Sequence, residues 1–169
     1  SAYKTDYIAF NGTAKVEKTD ANNYPMGLKA ADFKNTNTNF TNVTFIVEDG
    51  SLTINPRPVK LTSASDSKVY DGNALTNDTV TVSGDGFADG EGAMYDVTGS
   101  QTVVGSSANT FGYTLNEGTL ESNYDIQKVE GTLTVTQFTD KVTVTITEHS
   151  GSVKYDGDEH TVTGYDVAI

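Results

Sequence analysis

Two short signatures each occur twice in this chain, and their spacing limits its architecture more than any other feature. Glu48-Asp49-Gly50-Ser51-Leu52-Thr53-Ile54 returns as Val129-Glu130-Gly131-Thr132-Leu133-Thr134-Val135, and Lys68-Val69-Tyr70-Asp71-Gly72 returns as Val153-Lys154-Tyr155-Asp156-Gly157. The first is displaced by 81 positions, Gly50 to Gly131, and the second by 85, Tyr70 to Tyr155. A self-similar period of that size marks an array of small units. The phases divide the chain into residues 1–56, the C-terminal part of one repeat; residues 57–137, a complete repeat; and residues 138–169, the N-terminal part of the next.

Units of this size must bury a modest core with strands or helices, and the residue usage favours strands. Hydrophobic residues make up 36% and charged residues 20% of 169, as in folded soluble proteins. Thr, Val, Tyr and Phe suit a pleated, half-buried surface. The 11 basic residues against 23 acidic ones leave a net charge of -12, the wrong sign for a nucleic-acid footprint or for attraction to an anionic membrane. Cysteine is absent, which removes disulfides, thiol nucleophiles and Cys-ligated zinc. No apolar run approaches the roughly 20 residues of a spanning helix, so membrane insertion is not expected.

Along the chain the patterning is that of short strands between turn signals. Tyr3, Tyr7, Ile8 and Phe10, an Asn11-Gly12 turn, then Ala14 and Val16 read as one hairpin. Val43, Phe45 and Val47, an Asp49-Gly50 turn, then Leu52 and Ile54 read as a second. Leu28 to Lys34 supports at most one turn of helix. Pro56-Arg57-Pro58 restricts the backbone and makes a stiff junction, which sets neighbouring units end to end. In the complete repeat the expected core is Leu61, Tyr70, Leu75, Val80, Val82, Phe87, Phe111, Tyr113, Leu115, Tyr124, Ile126, Leu133 and Val135. In the last segment Val142, Val144 and Ile146 alternate with threonines. The expected fold class is all-β, in tandem small antiparallel β modules. An immunoglobulin-like sandwich is the first choice, with a β-grasp or an elongated flat sheet as alternatives.

Several of these stretches resemble the YDG and MBG repeat domains of large bacterial surface proteins. They are Lys68-Val69-Tyr70-Asp71-Gly72-Asn73-Ala74-Leu75-Thr76, Gly84-Asp85-Gly86-Phe87, Gly99-Ser100-Gln101-Thr102, Ser122-Asn123-Tyr124-Asp125-Ile126 and Glu130-Gly131-Thr132-Leu133-Thr134-Val135. Val153 to Val167 is similar to a second variety of the same repeat. The resemblance implies secretion, an extracellular place on the bacterial cell surface or cell wall, and tandem arrangement in adhesin-like proteins. It implies no catalytic residues.

Residues able to carry chemistry are few. His149 and His160 stand in polar stretches without a nucleophile context and read as surface residues. Asp85, Asp89 and Glu91 offer hard oxygen ligands, but their spacing is not that of a calcium loop and Phe87 interrupts it. Asp156, Asp158 and Glu159 read the same way, as a solvated acidic turn. The Tyr-Asp-Gly motif reads structurally, with Tyr70 or Tyr155 covering a core edge and Asp-Gly making the turn. No catalytic, cofactor-binding or metal residue is therefore assigned, and no cofactor. Lys60 and Asn123 are conceivable partners for an internal amide crosslink, although nothing in their local pattern demands burial. The function expected is a non-catalytic stalk or spacer of a surface adhesin. The alternative is an adhesive module whose loops, such as Gly84 to Gly92, recognise a host glycan or protein. The expected partners are neighbouring repeats of the same chain and, because both end segments hold incomplete repeats, other copies joined head to tail.

Overall fold

The computed structural model describes residues 2–169, and the protein is all-β, with helix confined to single 3-10 turns at Thr5–Tyr7, Ala30–Asp32 and Glu121–Asn123. The first segment contains β1 (Ile8–Phe10), β2 (Asn22–Pro25), β3 (Phe33–Asn35) and β4 (Ser51–Ile54). The centre contains β5 (Arg57–Ser63), β6 (Asp66–Val69), β7 (Val80–Gly84), β8 (Ala93–Val97), β9 (Gly105–Asn109), β10 (Phe111–Leu115), β11 (Tyr124–Val129) and β12 (Gly131–Thr136). The last segment adds β13 (Thr145–Glu148) and β14 (Tyr165–Ala168).

Neither hairpin expected in the first segment forms. β1 pairs antiparallel with β3, and β2 with β4. A tight two-residue hairpin needs positive φ at its centre, and Gly12, Gly50, Asn11 and Asp49 all keep φ outside that region. Long-range packing takes over instead. Phe10 lies directly opposite Phe33, their rings stacked at 5.0 Å, and the Asn11 amide donates to the Asp32 carbonyl. Asp49 turns its carboxylate onto the Gly27 and Leu28 amides, so Leu52 pairs with Tyr24 and residues 43–48 join no strand. The single helical turn expected near Leu28 to Lys34 is the 3-10 turn Ala30–Asp32.

The central unit is organised on two long extended stretches. β11 runs parallel to β5, Tyr124 opposite Arg57 through Val129 opposite Thr62, and β12 runs parallel to β6, Leu133 opposite Asp66 through Thr136 opposite Val69. Partner numbers differ by 67 in both pairings, so residues 57–69 and 124–136 keep one register through the break at 63–65. β7 adds antiparallel to the free edge of β5, and β9 to the free edge of β12. After Thr110, β10 continues from β9 and pairs antiparallel with β8. The two three-stranded sheets, β11-β5-β7 and β6-β12-β9, therefore each carry one parallel pairing that the alternating pattern does not announce, while β8 with β10 is antiparallel as expected. Parallel pairing needs a long connection between strands, and the 54 residues between β6 and β11 supply it.

Period-two burial places the core on one face of these stretches. Val59, Leu61, Phe111 and Tyr124 form one buried cluster, with Phe87, Tyr95 and Ile126 packed around it, and Leu75, Leu133 and Val135 form a second. Two expected core residues are corrected: Tyr70 and Val82 are each 42% exposed. Tyr70 lies one residue past the end of β6, and Val82, although opposite Leu61, sits on an edge strand with an open flank. Val59, not expected in the core, is fully buried.

Where the paired stretches pass from one sheet to the next, side chains replace the interrupted ladder. The Ser63 hydroxyl donates to the Asn109 carbonyl and accepts from the Gly131 amide. The Asn109 carboxamide donates to the carbonyls of Ala64 (2.9 Å) and Asn77 (2.8 Å). Glycine at 131 is required by closeness: a Cβ there would collide with the carbonyl oxygens of Ser63 and Ala64.

In the last segment β13 and β14 pair antiparallel with Ile146 opposite Val167. That is the register of Leu61 opposite Val82 with 85 added to each number. The strand expected from Val142 onward begins only at Thr145, and residues 138–169 are exposed throughout.

Candidate functional site

The loop from Gly84 to Gly92 is built into the fold. Phe87 packs edge-on against Tyr124 with ring centroids 5.1 Å apart and joins the buried cluster, so it offers no stacking platform. The Tyr124 hydroxyl donates to Glu91 Oε2 at 2.6 Å and accepts from the Ala88 amide at 3.0 Å. Burial and the neighbouring Glu91 carboxylate push the Tyr124 phenol above its ordinary pKa. Arg57 reaches across with Nε on the Gly86 carbonyl and Nη2 on the Asp85 carbonyl. Glu91 is thus engaged by tyrosine and Asp85 contributes its carbonyl to arginine; the loop carboxylates do not converge. Among the described residues no three His, Asp or Glu side chains are grouped to hold a metal ion.

The same loop forms one wall of the junction between the first segment and the centre. Only Asn55 and Pro56 separate β4 from β5. Asn123 bridges the gap, accepting from the Ala21 amide at 2.7 Å and donating to the Asp20 carboxylate at 3.0 Å. A cleft of about 290 Å³ opens beside this bridge, bordered by Ala21, Ile54, Arg57, Ala88, Glu91 and Tyr124. Asn123 therefore serves the junction, and its carboxamide engages Asp20 and Ala21, not Lys60, the crosslink partner considered from the sequence. Nothing in the local pattern of Asp20 or Ala21 announces the contact, which spans 102 positions or more.

The two Tyr-Asp-Gly motifs make turns of one design. Asp71 accepts from the Asn73 amide (2.9 Å) with Gly72 at φ +82°, and Asp156 accepts from the Asp158 amide (3.1 Å) with Gly157 at φ +89°. Lys68 first and the Asn73 amide second hold Asp71 below the ordinary carboxylate pKa; at Asp156 the Asp158 amide leads and His160 follows. The tyrosines do not cover a core edge as expected, since Tyr155 is 97% exposed. His160 contacts Asp156 at 2.8 Å, and His149 lies on the Thr163 carbonyl at 3.1 Å, both at the surface. Each contact is local to its turn or strand pair.

An apolar groove of about 360 Å³ runs along the first segment, lined by Ile8, Leu28, Phe33, Phe45 and Val47. It has no sequence signal of its own, because its walls combine Ile8 and Phe33 of the β1–β3 pair with Leu28, Phe45 and Val47 from stretches outside any strand. No helix among the described residues is long and apolar enough to cross a membrane. Comparison with protein-family models, with curated proteins and with solved structures found no match to this chain.

Proposed function

We propose that this chain is a non-catalytic spacer, part of the stalk of a secreted bacterial surface adhesin assembled from tandem repeats. The observation that carries this reading is the parallel register of residues 57–69 with 124–136. The chain enters the central unit at the start of one extended stretch and leaves at the end of the other. Thirteen residues at about 3.3 Å each set those two points about 40 Å apart. Tension along the chain draws the two strands past each other lengthwise, so the ladder bonds share the load at the same instant. Pulling the same strands apart from one end would break them one after another. The short Asn55-Pro56 link, braced by Asn123, passes load between units without slack. The acidic surface keeps such a stalk soluble and unreactive toward other polyanions. A loop-borne adhesive role has less support, because Phe87 and Glu91 are both consumed in packing.

Single-molecule pulling tests the reading directly, and the absence of native cysteine makes site-specific handles simple. Handles at Asn55→Cys with Gln137→Cys load the ladder in shear; handles at Asn55→Cys with Ser122→Cys peel it. Forced unfolding reports the unfolding rate under load. The shear geometry is expected to need several-fold more force, and equal forces in the two geometries would overturn the spacer reading.

A further inference from the structure

The ribbon of β8 and β10 lies inside the central unit, with strands of the same unit before and after it in sequence, and one of its flanks is open. The Thr98 amide donates to the Thr110 carbonyl and the Asn116 amide to the Gly92 carbonyl, so Gly92, Met94, Asp96 and Thr98 are the positions that bond across to residues 110–116. Ala93, Tyr95 and Val97 turn their N–H and C=O groups to the opposite flank, where β8 has no neighbouring strand. None of these groups has a hydrogen-bond partner among the described residues. The side chains at this flank are incompletely covered as well. Tyr95 and Val97 pack toward the core yet stay half-buried, and Met94 on the outer face is 67% exposed.

Asp96 is the single charge on β8, and among the described residues it makes no hydrogen bond or ion pair. Gly112 stands directly opposite it in an unbroken register, without positive φ and with nothing within 4 Å of where a Cβ would stand. Glycine inside a strand costs stability, and where no bulge explains it such a position marks the close approach of another group. Here the bare backbone leaves a hollow of about 350 Å³ bordered by Met94, Asp96 and Thr114, so the Asp96 carboxylate is reached from the outer face with no side chain across from it.

We infer that the edge of β8 is a docking site for an extended, cationic segment of a partner protein, added as an outer strand with a lysine or arginine beside Asp96. Main-chain bonds to Ala93, Tyr95 and Val97 supply the attachment, and alternate side chains supply the choice of partner. A strand added about 4.8 Å away places the residue opposite Asp96 on the outer face and those opposite Tyr95 and Val97 on the core side, where both are half-buried. Run antiparallel, the segment reads apolar, basic, apolar, apolar against Val97, Asp96, Tyr95 and Met94. Charge selects against the other occupant such an edge invites, a second copy of this chain, since each copy carries -12. The outer strands β6 and β11 carry charges of both signs, Asp66 with Lys68 and Asp125 with Lys128, and so lack this preference. The inference goes beyond the spacer reading and is independent of it, because the pulling result stands whether or not the ribbon binds a partner.

Amide hydrogen exchange on the full chain, read residue by residue by NMR, tests it with two synthetic peptides, Thr-Val-Lys-Val-Val-Thr and the same peptide with glutamate in place of lysine. The Tyr95 and Val97 amides are expected to gain saturable protection from the lysine peptide, while those of Met94 and Asp96, already bonded to β10, keep theirs. Added salt is expected to weaken that binding. Asp96→Asn, at an exposed side chain, is expected to weaken it about two- to fivefold, and Asp96→Lys to turn the preference toward the glutamate peptide. No protection from the lysine peptide at millimolar concentration, equal binding of the two peptides, protection at other strands in place of Tyr95 and Val97, or an unchanged affinity in Asp96→Asn would each overturn the inference. So would protection of Tyr95 and Val97 that rises with the concentration of the chain alone, which would assign the edge to a second copy.

Discussion

Asn109 shows how one residue holds two sheets together. It is fully buried, its amide nitrogen serves the carbonyls of Ala64 and Asn77, and its Oδ1, without a hydrogen-bond partner among the described residues, lies where a Cβ at Gly99 would collide with it. Replacing it with alanine leaves two half-buried carbonyls without this donor, each costing about 1–2 kcal/mol. Asn109→Ala is therefore expected to lower unfolding stability by about 2–4 kcal/mol, read from urea denaturation. Tyr124 gives a pH signature. A phenol whose folded pKa lies above the unfolded value near 10 contributes stability that is complete below pH 10 and lost as pH rises through the folded value. Tyr95, raised by burial, adds in the same direction. Thermal melts from pH 7 to pH 11 are expected to show stability falling on the alkaline side, and Tyr124→Phe should cost about 1 kcal/mol at neutral pH while making that loss shallower.

At the scale of elements, register follows from what lies across the strand, not from the turn beside it. The pair Gly50 and Gly131 isolates this, since both occupy the same place in a common signature but only Gly131 has neighbouring backbone carbonyls where a Cβ would stand. Gly131→Val is expected to destabilise the central unit by about 2 kcal/mol or more, because the crowded atoms are backbone carbonyls that cannot turn aside. Gly50→Val should change monomer stability by less than about 0.5 kcal/mol. Chemical denaturation of the two variants side by side measures the contrast.

For the whole molecule the decisive region is the junction at Asn55-Pro56. Asn123 is the only side chain among the described residues seen to hydrogen-bond the Asp20-Ala21 stretch across it, and it is not itself part of either buried cluster. Asn123→Ala is expected to leave the denaturation midpoint of the central unit nearly unchanged while broadening the distribution of distances between labels on the two sides of the junction. Small-angle scattering or paired spin labels would register that change, and proteolysis near Thr19 should quicken. Tension tests on the same variant are expected to keep the shear strength of residues 57–136, because the parallel register of 57–69 with 124–136 does not involve Asn123.

Period-two alternation and the turn chemistry of Asp-Gly are local properties, and from them the sequence alone determined the all-β class. It also placed most of the central core and located the turns at Asp71 and Asp156. It led to wrong partners wherever a strand had a choice. Residues 8–10 and 51–54 each lie next to a plausible hairpin turn, yet Phe33 and Tyr24 capture them, because aromatic packing and carboxylate capping outweigh an unstrained short turn. Pairing in parallel across 67 positions leaves no local trace, so the parallel register, the polar crossing at Ser63 and Asn109, and the bridge from Asn123 to Asp20 were decided only by tertiary structure. Side-chain alternation tells a strand which face to bury; it carries no information about which backbone lies beside it, and backbone groups offer the same donor and acceptor at every residue but proline.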